Sequence, residues 1–122
     1  MLTFNEIIKR ATACGYPIAE NEFVITKQNP APTLPFVCYT RVEHFKGSDD
    51  AVRLKTTDGA IEFYTDRKPG AADLEKIAEF EKKVFYDVDY TKSQNFIRDE
   101  NMTQTAYDFT IIEKTRKGVN KK

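Results

Sequence analysis

Apolar residues recur at helical spacing near the beginning of the chain. Four of them fall on one face of a helix, at i, i+3, i+4 and i+7: Phe4, Ile7, Ile8 and Ala11. Thr3 and Glu6 occupy the two positions of a capping box, in which each side chain accepts a hydrogen bond from a free backbone N–H. Gly15 is a typical residue to end such a helix. The pattern predicts a short amphipathic helix over residues 3–13.

The next pattern is that of β-strands separated by turns. Residues 16–35 contain four of the five prolines and predict a surface loop, with a brief strand near Phe23–Ile25 as one option. Three runs of β-forming residues follow and predict strands: 36–45, 51–56 and 60–65. The Lys46–Asp50 segment is typical of a turn, and so is the Asp58-Gly59 dipeptide.

After a break at Pro69-Gly70, helical spacing returns over residues 71–84. The predicted inner side of this helix holds the following residues, with Glu81 as the polar exception: Leu74, Ile77, Ala78, Glu81, Val84 and Phe85. Alternating apolar and polar residues then predict strands over residues 85–91 and 103–113. In the second of these strands, Tyr107, Phe109 and Ile111 share one face.

This order of elements predicts an α+β fold. A mostly antiparallel sheet of about five strands would be flanked by two helices, in the order α-β-β-β-α-β-β. The length of 122 residues suits one domain with one modest core. We place this domain at residues 1–114 and a basic, flexible C-terminal tail at residues 115–122.

Composition and charge disfavour several classes of function. The 19 basic and 19 acidic residues cancel, so the chain has no overall field to attract nucleic acid or an anionic membrane. The apolar runs are short and interrupted by charges, which predicts neither a membrane-spanning helix nor a signal peptide. Cys14 and Cys38 are the two cysteines, and we expect both to be reduced in a cytosolic protein.

The polar residues predict no catalytic site. A metal nuclease needs converging carboxylates and usually a lysine two residues after one of them, but the residue two after Glu62 is Tyr64. We interpret the acids of this region as solvated turn and strand residues: Asp49, Asp50, Asp58, Glu62 and Asp66. His44 has no suitably spaced metal ligands and no neighbouring nucleophile. The sequence also contains no phosphate-binding glycine motif, and we predict no cofactor or metal.

Aromatic residues and the basic end of the chain each leave two interpretations open. Tyr86, Tyr90 and Phe96, with Lys92 and Arg98, could form a platform for single-stranded nucleic acid. Acids between them would repel phosphates, so we favour core or interface rings. The C-terminal KTRKGVNKK, with five basic residues in nine, is either a solvated terminus or an arm for an acidic partner. Such a neutral, aromatic-rich chain is typical of proteins that assemble.

Five segments resemble a family of small proteins from the head–tail module of long-tailed phages and prophages of Gram-positive bacteria, described as tail-completion or tail-terminator proteins. They read GYP, LPFVCY, IEFYTDRK, TKSQNFIRDENM and YDFTI, at Gly15–Pro17, Leu34–Tyr39, Ile61–Lys68, Thr91–Met102 and Tyr107–Ile111. The resemblance runs over residues 3–114, and its motifs are structural rather than catalytic. The Lys46–Asp50 turn and the basic C-terminus match no feature of the family.

The resemblance implies a structural protein without enzymatic activity. Its subunits would form a ring, expected to be a hexamer, that caps the tail tube, stops its polymerisation and joins it to the head. The expected partners are further copies of the chain, the tail-tube protein and the head connector or stopper protein, with no membrane partner. The expected location is the cytoplasm of the infected or lysogenic bacterium and then the virion neck. The alternatives are a head–tail connector or head-closure protein and, less favoured, a nucleic-acid-binding protein or a metal nuclease.

The expected contacts between subunits lie on the hairpin over residues 36–56, on aromatic residues that follow the second helix, and in the tail. The candidate interface residues are Arg41, His44, Phe45, Lys46, Asp49, Asp50, Tyr86, Tyr90 and Phe96. The candidate contacts of the basic tail are Lys114, Arg116, Lys117, Lys121 and Lys122. A ring closes when one face of each subunit meets a different face of the next, and complementary charge would orient that docking.

Overall fold

Two helices and five strands make up the described part of the chain, in the predicted order α-β-β-β-α-β-β. The computed structural model describes residues 2–28, 30–47, 52–66, 68 and 70–116. The helices are α1 (Phe4–Ala13) and α2 (Ala71–Val84). The strands are β1 (Ile18–Glu20), β2 (Phe36–Gly47), β3 (Val52–Asp66), β4 (Thr91–Ile97) and β5 (Met102–Arg116).

The strands form one five-stranded sheet in the order β1-β2-β3-β5-β4. β1 runs parallel to β2, and every other neighbouring pair is antiparallel. In the centre of the sheet, Tyr39 of β2 lies opposite Ile61 of β3, which lies opposite Tyr107 of β5. Both helices pack on the face that carries these residues, since the core joins residues of α1, α2 and that sheet face. The predicted α+β fold with a mostly antiparallel sheet is therefore confirmed.

Helix α1 forms as the local pattern predicts. The Glu6 backbone N–H donates to Thr3 Oγ1 at 3.1 Å, and the Thr3 N–H donates to Glu6 Oε1 at 3.2 Å, which completes the capping box. Phe4, Ile7 and Ala11 are buried against the sheet, while Gly15 after the helix has a φ of 92° that favours glycine.

Helix α2 has the predicted bounds, but its buried side differs from the prediction. Ile77, Val84 and Phe85 are buried as predicted, but Leu74 and Ala78 are exposed, and Phe80, which the pattern left out, is buried. Phe80 stacks on Phe63 of β3 with ring centroids 4.9 Å apart. The aromatic ring therefore sets the rotation of the helix, because it offers more contact area to the sheet than Leu74 at the first turn.

Glu81, the polar exception on the predicted inner side of α2, has two partners in the sheet. The Tyr107 hydroxyl donates to Glu81 Oε2 at 2.8 Å, and Lys92 of β4 forms an ion pair with the same carboxylate. Burial and the Glu81 carboxylate raise the pKa of Tyr107 above its ordinary value, so this hydroxyl remains a donor. Glu81 thus links α2 to the two strands at the edge of the sheet.

The Asp58-Gly59 dipeptide lies in the middle of a strand, so the predicted turn is wrong. The runs predicted as two strands at 51–56 and 60–65 belong to the single strand β3, in which Gly59 pairs with Arg41 and with Phe109. Gly59 is buried beneath the rings of Phe4 and Phe109. The glycine is needed for this close approach of helix α1 to the sheet rather than for a turn.

The predicted strand over residues 85–91 is wrong in position. Residues 85–87 form a bend and turn instead, with Val88 N–H donating to the Phe85 carbonyl at 3.1 Å, and the fourth strand begins at Thr91. The third strand before α2 is β1, not the option near Phe23–Ile25. A backbone hydrogen bond, in which Val37 N–H donates to the Pro17 carbonyl at 2.8 Å, helps to hold β1 beside β2.

Candidate interaction surface

One face of the sheet carries no helix among the described residues, and we call it the open face. Its side chains come from the even-numbered residues of β2, β3 and β5, because successive side chains of a strand point to opposite faces. Residues that lie directly opposite one another on β2, β3 and β5 form rows across the sheet. From one end of the open face to the other, these rows include Phe36–Tyr64–Gln104, Val42–Asp58–Thr110 and Lys46–Leu54–Lys114. These rows mix apolar and polar residues, whereas the opposite face carries the sheet's part of the hydrophobic core together with buried threonines such as Thr57 and Thr105.

The strands β2, β3 and β5 extend past the helices as a three-stranded arm. We define the arm as residues 42–47, 52–56 and 112–116. Every residue of 42–47 is exposed, so solvent reaches both faces of the arm. On its open face Val42 and Ile112 are each 57% exposed, and on the other face Phe45 is 56% exposed. Apolar side chains therefore reach solvent on both faces of the arm.

Ion pairs across the strands hold the arm together. On the helix side of the sheet, Lys55 Nζ lies 3.3 Å from Glu43 Oε2 and 3.8 Å from Glu113 Oε2. On the open face, His44 Nε2 lies 3.3 Å from Asp58 Oδ2, a contact that is an ion pair only when the imidazole is protonated. Cross-strand pairs of opposite charge stabilise a sheet modestly, so they support the arm where it has no hydrophobic core.

An apolar groove of about 490 Å³ lies at the opposite end of the open face. The loop after β1 forms one wall, and strand ends and the β4–β5 turn contribute the rest. Its apolar lining residues include Phe23, Ile25, Leu34, Phe36, Ile97 and Met102. Phe36 contacts both Phe23 and Tyr64, with ring centroids 5.4 and 4.9 Å away. Among the described residues, the charged side chains that line this groove are Glu22 and Glu100, and both are acidic.

A small polar network borders the groove. The Tyr64 hydroxyl donates to Glu62 Oε1 at 3.2 Å and accepts from Gln104 Nε2 at 3.0 Å. Burial raises the pKa of Tyr64 to about 12 and that of Cys38 to about 11, so both are neutral at pH 7. Burial also raises the pKa of the Glu62 carboxyl, and the hydrogen bond from Tyr64 opposes that effect.

We expect Glu62→Gln to stabilise the fold at neutral pH. A folded-state pKa above the ordinary value means that Glu62 contributes its full stability below its unfolded pKa, and that this contribution is lost as the pH rises through the folded pKa. Glutamine stays neutral at every pH. The thermal midpoint of the variant should therefore exceed that of the parent chain at pH 7, and the difference should shrink towards pH 4.

Asp87→Asn provides a control of opposite sign. Asp87 lies 2.7 Å from Arg10, and this hydrogen-bonded pair lowers the pKa of the carboxyl. The variant should be less stable than the parent at pH 7, and the deficit should fade at low pH as Asp87 of the parent is protonated. If the thermal midpoints of both variants shifted by the same amount and in the same direction at pH 7, the assignment of Glu62 to a desolvated site would be contradicted.

The predicted interface residues fall in several different places. Arg41 interacts with residues of its own chain: its Nε donates to Glu20 Oε2 at 3.0 Å, and its guanidinium lies 5.2 Å from the centroid of the Phe4 ring. His44 and Lys46 lie on the open face of the arm, and Phe45 lies on its other face. Asp49 and Asp50 lie outside the described residues.

The remaining predicted aromatic residues lie apart from the arm. Tyr86 stacks beneath the Arg10 guanidinium at 4.3 Å, and Tyr90 packs on Phe85 and Tyr107. Phe96 lies on β4, at the edge of the sheet. The structure therefore does not unite these three rings with the hairpin in one surface.

The predicted basic tail begins as part of the sheet. β5 extends to Arg116, and Lys114 is exposed on the open face of the arm. Three predicted tail contacts lie outside the described residues: Lys117, Lys121 and Lys122.

Several surface residues were not predicted from the sequence. On the arm these are Val42, Leu54 and Ile112, and in the groove they come from the loop after β1 and the β4–β5 turn. The adjacent pair Ile111 and Ile112 in the sequence could have indicated an exposed apolar residue. Neighbouring residues of a strand point to opposite faces of the sheet, so in a sheet with one buried face only one of the two isoleucines can lie in the core. Ile111 is 7% exposed in the core, and Ile112 is the surface residue.

The described residues contain no cluster of three or more His, Cys, Asp or Glu side chains that could hold a metal ion. Asp58 and Glu62, two of the acids considered for a nuclease, lie four residues apart on one strand, roughly 13 Å from each other. Within the same described part, neither helix is long and apolar enough to cross a bilayer.

The open face thus carries an exposed arm at one end and an acid-rimmed apolar groove at the other. Comparison of the chain with models of known protein families and with curated proteins finds no match in either case.

Proposed function

We propose that the chain is a phage structural protein that caps the tail tube, ends its polymerisation and forms the surface that joins the tail to the head. The observation that carries this proposal is the arm, which exposes apolar side chains on both of its faces. Apolar groups in such positions lose contact with water only when another protein surface covers them, so the arm suits an assembly role. The resemblance of five sequence segments to tail-completion proteins supplies the phage context.

The proposed assembly is a ring of identical subunits, with a hexamer as the expected number. In a ring, one surface of each subunit meets a different surface of the next. The arm and the groove are two such different surfaces on one chain, and this supports a head-to-tail contact. One side of the ring would then meet the tail-tube protein, and the opposite side would meet the head connector or stopper protein.

The proposal assigns no catalytic residue, cofactor or metal to the chain. The polar groups around the open face have structural partners instead: Asp58 accepts from the Thr110 hydroxyl at 2.8 Å, and Glu62 accepts from Tyr64. The place of action would be the cytoplasm of the infected or lysogenic bacterium and, after assembly, the neck of the virion.

Tube growth by the cognate tail-tube protein tests the proposal. Substoichiometric amounts of the purified chain should stop elongation, seen as a plateau in light scattering and as tubes of limited length in electron micrographs. Ile112→Glu on the arm should raise the amount of chain needed for this block by at least about tenfold, because removal of a central apolar contact commonly costs that much affinity.

Leu74→Glu is the matched control for this experiment. Leu74 is 55% exposed, close to the 57% of Ile112, but it lies on α2 in the helical layer. This variant should block tube growth like the parent chain. A parent chain that leaves tube growth unchanged contradicts the terminator role. In that case, binding to the head connector alone would assign the chain to the connector position in the same neck.

A further inference from the structure

We propose that the open face of the arm of one copy docks into the acidic apolar groove of a second copy, in a head-to-tail interface. This inference deepens the proposed ring and rests on its self-assembly. It names the surface that meets the neighbouring subunit and the site that receives it.

The open face of the arm is both apolar and basic. Leu54, 37% exposed, lies between Lys46 and Lys114 in one transverse row of the sheet. His44 and Ile112 flank Thr56 in the next row. Among the described residues, the ion pairs of the arm involve Lys55 and, when protonated, His44, and none of them involves Lys46 or Lys114.

The groove has the complementary composition. Its volume of about 490 Å³ lies within the range of clefts that accept a compact ligand, and more than one apolar side chain fits in such a space. Its walls are aromatic and aliphatic, with Phe36, Ile25 and Met102 among them. Within the part of the chain that the structure describes, its charged lining residues are Glu22 and Glu100, opposite in sign to Lys46 and Lys114.

The arm of a chain cannot reach the groove of the same chain. Leu54 and Tyr64 are ten residues apart on the continuous strand β3, which corresponds to roughly 33 Å. Both surfaces belong to one hydrogen-bonded sheet, so they cannot fold towards each other. The contact must therefore join two copies, and because it uses two different surfaces it is heterologous: it closes into a ring or continues as a filament.

The backbone of the arm offers a second means of contact. β1 pairs with β2 only from Val37 to Tyr39, and β4 pairs with β5 only from Met102 to Asp108. In the arm, the outer edges of β2 and β5 extend beyond these partners. Such strand edges can accept hydrogen bonds from a neighbouring chain, which would fix the register of a docked arm.

A charge-swap series tests the assignment of the two surfaces. The Lys46→Glu/Lys114→Glu chain and the Glu22→Lys/Glu100→Lys chain should each weaken self-association by at least about tenfold, measured by sedimentation velocity over a concentration series. The chain with all four substitutions restores opposite charges and should associate to within about threefold of the parent. A quadruple variant no better than either double variant would overturn the proposal.

Cross-linking tests the geometry without reference to charge. In a Cys14→Ala/Cys38→Ala background, Leu54→Cys and Ile25→Cys place thiols on exposed positions of the arm and the groove wall. A short bismaleimide should link these two variants when they are mixed, and should link neither variant to itself. Self-linking of the Leu54→Cys chain would indicate a symmetric contact instead and would overturn the proposal.

The same mixture should be examined with and without the tail-tube protein, so that the interface and the function are tested separately. Cross-links between copies without any effect on tube growth would keep the interface and remove the terminator role. Capped tubes without cross-links would keep the role and overturn the interface. No cross-link under either condition overturns the interface as well.

Discussion

Replacing Gly59 by alanine should destabilise the chain by about 3 kcal/mol and lower its thermal midpoint by roughly 10 °C. A β-carbon built on Gly59 lies 2.5 Å from Cε1 of Phe4 and 2.9 Å from Cζ of Phe109. Neither ring can move away cheaply, because Phe4 is 2% and Phe109 is 5% exposed, and the two rings stack with centroids 5.8 Å apart. Thermal unfolding followed by circular dichroism measures the effect.

Gly70→Ala is the control for the Gly59 variant. No atom lies within 4 Å of a β-carbon at Gly70, and its φ of −82° suits alanine. Gly70 is the N-cap of α2, where alanine is a weaker capping residue, so we expect a loss below about 1 kcal/mol. If the two variants lost equal stability, the close approach of α1 to β3 at Gly59 would not be the cause.

Phe80→Ala should have an effect of at least the same size, a loss of about 3–5 kcal/mol. Phe80 is 1% exposed and joins α2 to the sheet through Phe63, with centroids 4.9 Å apart, and through Tyr107, at 6.1 Å. Removing the ring leaves a cavity between helix α2 and the sheet, and this cavity can close only if the helix and the sheet both shift. Chemical denaturation measures the loss of unfolding free energy, and the dependence of this free energy on denaturant concentration should be compared between the variants.

Leu74→Ala distinguishes the helix orientation of the structure from the one that the sequence predicts. Leu74 is 55% exposed, so its truncation should cost less than about 1 kcal/mol. The sequence pattern placed Leu74 on the inner side and did not place Phe80 there. A large loss at Leu74 and a small one at Phe80 would show that α2 is rotated relative to the structure.

Local patterns predicted the elements whose determinants lie close together in the chain. The α1 helix needs only its own apolar stripe and the capping pair Thr3 and Glu6, which are three residues apart. Gly59 was misinterpreted because the reason for the glycine is Phe4, from a different element. The preference of Asp-Gly for turns considers only two adjacent residues, so it cannot take into account an aromatic ring of helix α1 that packs on Gly59.

The edge strand β4 illustrates a second limit. Its residues Thr91–Phe96 are all exposed, so no alternation of apolar and polar residues marks them as a strand. The preceding stretch, in contrast, alternates Tyr86, Val88 and Tyr90 with acids although the chain turns after Phe85, and Tyr86 is 69% and Tyr90 37% exposed. The alternation therefore predicted neither the burial of these rings nor the backbone conformation.

The candidate surface was predictable only in part. The hairpin that forms two strands of the arm follows from its β-forming residues, and His44, Phe45 and Lys46 were recognised as exposed candidates. The groove was not predictable, because its walls come from the loop after β1, the ends of β2 and β3 and the β4–β5 turn. Only the register of the sheet brings these segments together.

The continuity of β3 from the arm into the body has a mechanical consequence. β3 pairs with β2 from Arg53 to Tyr64 and with β5 from Val52 to Asp66, so the central strand is bonded on both sides over nearly its whole length. A pull on the arm along the strand direction would load these bonds together in shear, because they run across the strands. A subunit held by its arm would therefore resist tension as one unit, which suits a joint that must transmit force.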